Sequence, residues 1–271
     1  MIGFRSIAIT VLMSYILVMV MGPFLIPVLH KMKFGQTVRD DGPQSHLKKN
    51  GTPTMGGVMF MVAITAVTLL RAGINANVLM ALLCMLGFGL IGLMDDLVKI
   101  KMTRSLGLTA KQKILLQVIL AFAVSYYQYK VVGDGSQFIV PFVQAEINIG
   151  IAYIPFMMIV VLGTVNAVNL TDGLDGLASG ITAIVALFFT IFAFIVVQNV
   201  EISQFAAATL GACMGFMWFN VNPAKVFMGD TGSMALGGAV TAFALFTNSA
   251  LLIPIVGGIY FAEALSVIMS R

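Results

Sequence analysis

The 271-residue chain is 59% hydrophobic and only 10% charged, and its mean hydropathy is +1.01. Soluble domains carry about 25% charged residues, so this composition argues against a soluble globular protein, a disordered chain and a nucleic-acid-binding module. The net charge of +4 is typical of a membrane protein whose Lys and Arg residues lie in cytoplasmic loops. Cys84 and Cys213 lack metal-ligand spacing, so they indicate neither a zinc site nor a disulfide framework.

Apolar segments of about the 20 residues that a membrane helix needs follow one another along the chain. They predict an all-α, polytopic membrane helix bundle of about nine spans, formed as a single integral membrane domain over residues 1–271. Residues 133–150 contain turn residues and short alternating stretches, which predict a small β-hairpin on the outer face. The predicted spans are 7–29, 54–70, 77–94, 114–132, 151–170, 177–197, 203–219, 235–250 and 252–269.

The distribution of the 15 basic residues predicts the orientation of these spans. Most of the Lys and Arg residues fall in the odd-numbered connections, above all in 30–53 and 95–113. Arg5, Arg71 and Lys130 fall on the other side. The positive-inside rule therefore places the odd-numbered connections in the cytoplasm and the N-terminus outside.

Asp95 and Asp96 lie at the end of the third predicted span, in the sequence GLMDDLVKI. Neighbours on a helix point about 100° apart, so one carboxylate can face a metal or substrate while the other orients a neighbouring group. A solvated helix end that simply stops the span is the alternative interpretation. Ionisable groups at membrane depth are costly and are therefore functional candidates by default.

A second polar cluster, NAVNLTDGLDGLASG, occupies residues 166–180. Asn166, Asn169 and Asp172 follow one another at intervals of three, which places them on one face of a helix, and Asp175 comes just after. Helix capping explains one of the aspartates. Two Asn and two Asp at the end of an apolar span favour a functional site over packing.

Two more clusters flank predicted spans. The sequence NVNPAKVFMGDTGSMALGG, residues 220–238, combines Asp230 with amide, hydroxyl and glycine residues, and an ordinary turn is the alternative. The sequence DGPQSHLKKNGTPTMGG, residues 41–57, joins lysines and threonines to prolines and glycines. A basic loop of this kind suits a phosphate group, and a plain positive-inside loop is the alternative.

The predicted topology places all four clusters at the cytoplasmic face, although they are far apart in sequence. Together they indicate a site for a polyanion and Mg²⁺, because carboxylate and amide oxygens suit Mg²⁺ and lysines neutralise phosphates. The chemistry predicted for such a site is phosphoryl transfer, in which positioning and electrostatic stabilisation dominate.

Other patterns are predicted to serve helix packing. The sequence GFGLIG, residues 87–92, matches a dinucleotide-binding pattern but lies inside an apolar span without a strand before it. Gly211 and Gly215 form a GxxxG pattern that is typical of close helix contact. Glu263 lies within the last predicted span, and its partner cannot be deduced from the sequence.

The four polar motifs together closely resemble those of the phospho-N-acetylmuramoyl-pentapeptide-transferase family, within the polyprenyl-phosphate N-acetylhexosamine-1-phosphate transferases. The resemblance runs from the first span to Arg271. It implies that undecaprenyl phosphate attacks the β-phosphate of UDP-N-acetylmuramoyl-pentapeptide, giving lipid I and UMP in the first membrane step of peptidoglycan synthesis. It also implies Mg²⁺, a cytoplasm-facing site in the bacterial inner (plasma) membrane, and a homodimer.

The same resemblance implies roles for individual residues. Asp95, Asp96 and Asp230 are expected to be catalytic, with Asp230 as the principal Mg²⁺ ligand and Asn169 as a second metal-binding residue. Phe227 is expected to stack on uracil. The implied substrate-binding residues are Lys49, Thr54, Lys111, Asn166, Asn169, Asp172, Asp175, Asn220, Phe227, Gly229 and Ser233.

Members of this family continue past the ninth span with a His-rich cytoplasmic loop and a tenth span. The histidines of this chain, His30 and His46, lie in no such motif, so we expect the chain to be truncated before that region. The alternative functions are a related transferase that uses UDP-N-acetylglucosamine, a secondary transporter and a structural scaffold. Transporters concentrate polar groups near the membrane midplane, whereas the predicted clusters gather at one face.

Overall fold

The computed structural model describes residues 2–31, 51–102, 107–131, 137–140 and 145–269. Short 3₁₀ turns, Gly150–Ala152 and Ala250–Leu252, precede two of the helices, and a π-helical turn, Phe192–Val196, follows a third. The remaining elements in chain order are α1 (Ile2–Lys31), α2 (Gly57–Ala72), α3 (Ala76–Met102), α4 (Ala110–Val131), β1 (Gln137–Val140), β2 (Ala145–Asn148), α5 (Tyr153–Thr171), α6 (Leu177–Ile191), α7 (Val200–Asn220), α8 (Gly229–Phe246), α9 (Ile253–Val256) and α10 (Gly258–Met269).

Each of the nine predicted spans coincides with a helix or a broken pair of helices, which confirms the all-α membrane bundle. Among the described residues, five helices are long and apolar enough to cross a membrane, and the pair α9–α10, bent by 71°, raises this number to six. The chain is therefore a multi-pass membrane protein. Helix α2 has 16 residues, so it extends over about 24 Å, which is shorter than the roughly 30 Å hydrocarbon core.

Two helices extend beyond the ends of the predicted spans, and both extensions contain acidic residues. Helix α3 continues from the predicted end at 94 to Met102, so Asp95 and Asp96 lie within the helix. Helix α8 begins at Gly229 instead of 235, so Asp230 lies in its first turn. Hydropathy follows the apolar core of each helix, whereas the helices extend into polar sequence because their charged side chains find partners on neighbouring helices.

The hairpin predicted for residues 133–150 is present. Strands β1 and β2 pair antiparallel, with Gln137 opposite Asn148 and Val140 opposite Ala145. They connect the end of α4 to the start of α5, at the ends of these helices that lie away from the acidic residues. The location of the hairpin on the outer face stays a prediction.

Helix α8 forms the centre of the bundle, and its residues from Thr231 to Phe246 are buried. A helix that is apolar around its whole circumference is expected to be surrounded by other helices. Small residues let α3 come close to it. A side chain at Gly92 of α3 would overlap the main chain of Asp230, and a Cβ at Gly238 of α8 would lie 2.7 Å from the Cys84 carbonyl oxygen.

The glycine patterns serve helix packing, as predicted. Gly92 is the last glycine of GFGLIG and lies against α8. Gly211 and Gly215 of α7 lie against the main chain of α1, at Val11 and Tyr15. Small residues at these crossings bring the helix axes together and increase van der Waals contact, which is the main source of helix association in a lipid environment.

We expect Gly211→Ala to destabilise the protein, because the added methyl group would overlap the Val11 carbonyl oxygen of α1, and main-chain atoms cannot move aside cheaply. The matched control is Gly163→Ala in α5, where no atom outside the helix lies within 4 Å of the added Cβ. Alanine is favoured over glycine in a helix by about 1 kcal/mol, so the control should be neutral or stabilising. Thermal unfolding of the detergent-solubilised variants measures the difference, and equal midpoints would contradict it.

Candidate active site

Three carboxylates meet at one end of the bundle. Asp95 and Asp96 come from the last part of α3, and Asp230 comes from the first turn of α8. Each offers an oxygen that lies within 4.8 Å of the others, so the three residues form a group that could hold a metal ion. Asp95 and Asp96 are only 3% and 4% exposed, whereas the Asp230 side chain is 21% exposed. We call these three residues the aspartate cluster.

Two lysines neutralise much of the negative charge of the aspartate cluster. Lys99, one turn after Asp95 on α3, lies 2.6 Å from Asp95 Oδ2 and 3.0 Å from Asp230 Oδ2. Lys113, in the first turn of α4, lies 2.8 Å from the same oxygen of Asp230. Buried carboxylates need such partners, because an isolated charge loses far more hydration energy than packing returns.

Asp96 accepts hydrogen bonds from the first turn of α8. Its Oδ1 accepts from the backbone N–H of Asp230 at 3.2 Å, and its Oδ2 accepts from the backbone N–H of Thr231 at 2.9 Å and from the Thr231 hydroxyl at 2.7 Å. First-turn N–H groups have no partner inside their own helix, and a negative charge there is favourable. Asp96 is thus an N-cap supplied by another helix, and it fixes where Asp230 lies.

The Asp95 carboxylate contacts groups from two elements. Its Oδ1 accepts a hydrogen bond from the backbone N–H of Leu108 at 2.8 Å, while its Oδ2 faces Lys99. Leu108 lies just before α4, so the bond also holds the start of α4 beside α3. The two adjacent aspartates therefore contact different elements: Asp96 joins α3 to α8, and Asp95 joins α3 to the start of α4.

Asparagines of α5 complete the polar surroundings of Asp230. The Asn169 side-chain amide donates to Asp230 Oδ1 at 3.1 Å and to the Ser233 hydroxyl at 2.7 Å. Asn166, one turn earlier, pairs with Gln117 of α4 at 2.8 Å. Of the stripe predicted from the spacing of three, Asn166 and Asn169 lie on one helix face and contact α4 and α8, whereas Asp172 lies just past the end of the helix.

The loop before α2 is joined to the segment before α8 by main-chain hydrogen bonds. The N–H of Phe227 donates to the Pro53 carbonyl at 2.8 Å, and the Phe227 carbonyl accepts from Gly56 at 2.8 Å. Gly229 has a φ of 70°, which side chains disfavour. A Cβ there would lie 2.5 Å from Asp96 Oδ2 and 2.8 Å from Thr54 Oγ1, so only glycine lets Thr54 approach the aspartate cluster.

The other predicted site residues hold neighbouring elements, lie near the ends of helices or fall outside the described part. The Asn220 side chain is buried and bonds Gly176 and Val226, which holds the start of α6. Asp172 follows the last residue of α5 and Asp175 lies in the next turn, both half-buried. Lys111 is exposed at the start of α4. Lys49 lies outside the described residues.

The contacts single out residues that the sequence did not, namely Lys99, Lys113 and Gln117. The spacing of Lys99 from Asp95 is a signal that was present, because residues four apart on a helix are neighbours. The sequence predicts Lys111, and not Lys113, as a substrate-binding residue, and lysines two apart on a helix point in nearly opposite directions. Only the orientation of α4 against α8 selects Lys113.

The surroundings of Asp230, which precedes the predicted span 235–250, also control its protonation. Burial by itself would raise the pKa of the Asp230 carboxyl, but the nearby ammonium groups of Lys113 and Lys99 hold that pKa well below its usual range. Asp230 is therefore a carboxylate at neutral pH.

Residues 78–248, which include the whole aspartate cluster, match the model of Glycosyl transferase family 4. Residues 49–61 match phospho-N-acetylmuramoyl-pentapeptide-transferase signature 1. A protein named phospho-N-acetylmuramoyl-pentapeptide-transferase from Clostridioides difficile (strain 630) is 58% identical over 269 residues, which cover 99% of this chain and 84% of that protein. The chain belongs to the phospho-N-acetylmuramoyl-pentapeptide-transferase family.

Relatives with lower identity to this chain carry the same name. The protein from Thermoanaerobacter sp. (strain X514) is 47% identical over 265 residues, which cover 98% of this chain and 83% of that protein. The protein from Desulfitobacterium hafniense (strain DSM 10664 / DCB-2) is 44% identical over 269 residues, with 95% and 80% covered. The family signature contains Thr54 and the loop that is joined to Phe227, so sequence and geometry mark the same end of the bundle.

We expect Asp96→Ala to lower the stability of the protein, because two buried N–H groups and the Thr231 hydroxyl lose their acceptor. Each unsatisfied buried group costs about 1–3 kcal/mol. Thr231→Val is the matched control: it removes one of the same hydrogen bonds while both N–H bonds remain. Thermal unfolding in detergent should rank wild type first, Thr231→Val second and Asp96→Ala last, and an unchanged midpoint for Asp96→Ala would contradict the N-cap role.

Proposed function

We propose that this chain transfers phospho-N-acetylmuramoyl-pentapeptide from UDP-N-acetylmuramoyl-pentapeptide to undecaprenyl phosphate, giving lipid I and UMP. The observation that carries the proposal is the aspartate cluster with its two lysines at one end of a membrane helix bundle. The names of the relatives support it over nearly the whole chain. A lipid-linked acceptor and a water-soluble nucleotide can meet at such an end, where apolar helices meet a charged surface.

Magnesium is proposed as the cofactor on the chemistry of the donor set. Three carboxylates whose oxygens lie within 4.8 Å of one another offer hard ligands, and Mg²⁺ is held in proteins by one or two carboxylates together with phosphate oxygens of the substrate. We propose Asp230 as the principal ligand, with Asn169 beside it. A bound Mg²⁺ supplies positive charge that neutralises the diphosphate as the bond to UMP breaks.

The roles of the side chains follow from their contacts. We propose that Asp95, whose Oδ2 faces Lys99, orients the lipid phosphate or takes its proton. An oxygen of that phosphate forms a bond to the β-phosphorus, and the bond from this phosphorus to the oxygen of UMP breaks. Asp96 acts through α8 as a positioning residue. We favour this direct attack over a phosphorylated aspartate, because positioning and charge neutralisation suffice for phosphoryl transfer.

Further residues are proposed to bind the nucleotide and diphosphate. Thr54, Gly229 and Ser233 lie beside the aspartate cluster, and Phe227 is half-buried next to them, where its ring is proposed to stack on uracil. The cytoplasmic orientation of this end, the inner-membrane location and the homodimer are proposed from the basic residues and the family. The remaining proposed contacts are Lys49, Lys111, Asn166, Asp172, Asp175 and Asn220.

A related transferase that uses UDP-N-acetylglucosamine is the nearest alternative. The match of residues 49–61 to the pentapeptide-transferase signature favours the muramoyl donor. A secondary transporter is disfavoured, because the buried carboxylates gather at one end of the helices instead of at their middle.

We expect the purified chain, supplied with Mg²⁺ and undecaprenyl phosphate, to release UMP from UDP-N-acetylmuramoyl-pentapeptide and not from UDP-N-acetylglucosamine. The measurement is UMP production over time, with a reaction lacking undecaprenyl phosphate as the control. Release from UDP-N-acetylglucosamine alone would assign the chain to the neighbouring activity. Release from neither donor would contradict the proposed function.

We expect Asp230→Asn to lower turnover by at least about 100-fold, the usual cost of losing one group that stabilises transition-state charge. The amide is nearly isosteric, so the expression level should stay near that of wild type. Glu201→Gln, in the first turn of α7 at the other end of the bundle, makes the same chemical change away from the site and should keep full activity. Normal turnover of Asp230→Asn would remove Asp230 from the proposed metal site.

A further inference from the structure

Lys113 and Lys99 contact the aspartate cluster in different ways. Lys99 belongs to the same helix as Asp95 and Asp96 and approaches all three carboxylates, at 2.6, 3.9 and 3.0 Å from Asp95, Asp96 and Asp230. Lys113 comes from another helix, and within the described residues only Asp230 lies within ion-pair distance of it. Lys99 is thus bound into the cluster at several points, whereas Lys113 is attached at one.

The single ion pair of Lys113 is made to Asp230 Oδ2, the oxygen at which we expect a divalent cation to bind. Both lysines approach Asp230 Oδ2, while Asp230 Oδ1 accepts from Asn169. The oxygens of Asp96 are engaged by the first turn of α8, so Asp96 cannot turn to a cation without uncapping that helix. Of the two Asp230 oxygens, Oδ2 is the one that Asn169 does not hold, so a divalent cation bound to Asp230 through Oδ2 meets the ammonium groups of Lys113 and Lys99 there.

We propose that Lys113 and a divalent cation compete for Asp230 Oδ2, and that Lys113 is released from this carboxylate when the cation binds. The proposal rests on the proposed function, because it takes the aspartate cluster as the cation site. An ammonium and a divalent cation repel one another strongly at a few ångströms in a partly buried site. Lysine suits such an exchange, because its charge sits on a flexible four-carbon chain.

The released ammonium group would stay near the site. Lys113 lies in the first turn of α4, which the bond from Leu108 to Asp95 holds beside α3. Its side chain is 18% exposed, so it already reaches the surface from which a substrate approaches. A lysine released from Asp230 at this place is available to a phosphate group. Lys113 would then pair with Asp230 before the cation binds and with the diphosphate of the substrate afterwards.

The first test is the dissociation constant for Mn²⁺ alone, measured by electron paramagnetic resonance on the full chain in detergent without nucleotide or lipid. Lys113→Gln removes the competing charge and should tighten Mn²⁺ binding by about tenfold or more. Lys101→Gln is the matched control, because it removes an equal charge from an exposed position on α3 and should leave the constant unchanged. Lys113→Arg keeps the charge and should resemble wild type.

The second test uses the wild-type chain, so it does not depend on the folding of a variant. Acylation of lysine amines is followed by mass spectrometry with and without saturating Mn²⁺. Labelling of Lys113 should rise with Mn²⁺ relative to Lys101, because the ammonium leaves Asp230.

The outcomes separate this inference from the proposed function. Wild type that binds Mn²⁺, together with Lys113→Gln that binds it no more tightly or with labelling of Lys113 that does not change, would overturn the competition and leave the cation site in place. Absence of Mn²⁺ binding to both wild type and Lys113→Gln would overturn the inference together with the proposed metal site. Tighter binding by Lys113→Gln and increased labelling of Lys113 would support it.

Discussion

The hydrogen bonds from the first turn of α8 to Asp96 of α3 are the interaction on which the site depends. They require the two helices to lie almost in main-chain contact, which Gly92 permits because a side chain there would overlap Asp230. A carboxylate that caps a helix is stabilised by the unpaired N–H groups and by the helix dipole. The same contact sets Asp230 beside Asp95, so the capping interaction builds the aspartate cluster.

Three carboxylates this close repel one another unless positive charge lies nearby. Two lysines supply that charge, and they differ in how many carboxylates they contact. Lys99 is fixed among all three, whereas Lys113 is attached only to Asp230. A cluster balanced by one fixed and one detachable lysine can take up a divalent cation without leaving an uncompensated charge at either stage. Gly229, next to Asp230, has no side chain that would keep Thr54 away from Asp96.

Much of this architecture is predictable from one sequence, because membrane helices are dominated by hydropathy. The nine apolar segments all coincide with helices, and the turn residues of 133–150 correctly predict the hairpin. Two helices extend beyond the predicted spans. Hydropathy falls at Asp95 and at Asp230, yet α3 and α8 include both, since charges that are paired across helices do not terminate them.

The sequence by itself determined the class of protein, the family and the aspartates that form the cluster, because residue types and motif spacing are properties of the chain alone. It also placed Asn166 and Asn169 on one helix face, which a local period fixes. Only the tertiary structure decided that Asp96 caps α8, that Asn220 holds the start of α6, and that Lys113 instead of Lys111 contacts Asp230. These choices depend on how helices far apart in sequence are rotated against one another, and that rotation is set by packing at residues such as Gly92 and Gly238.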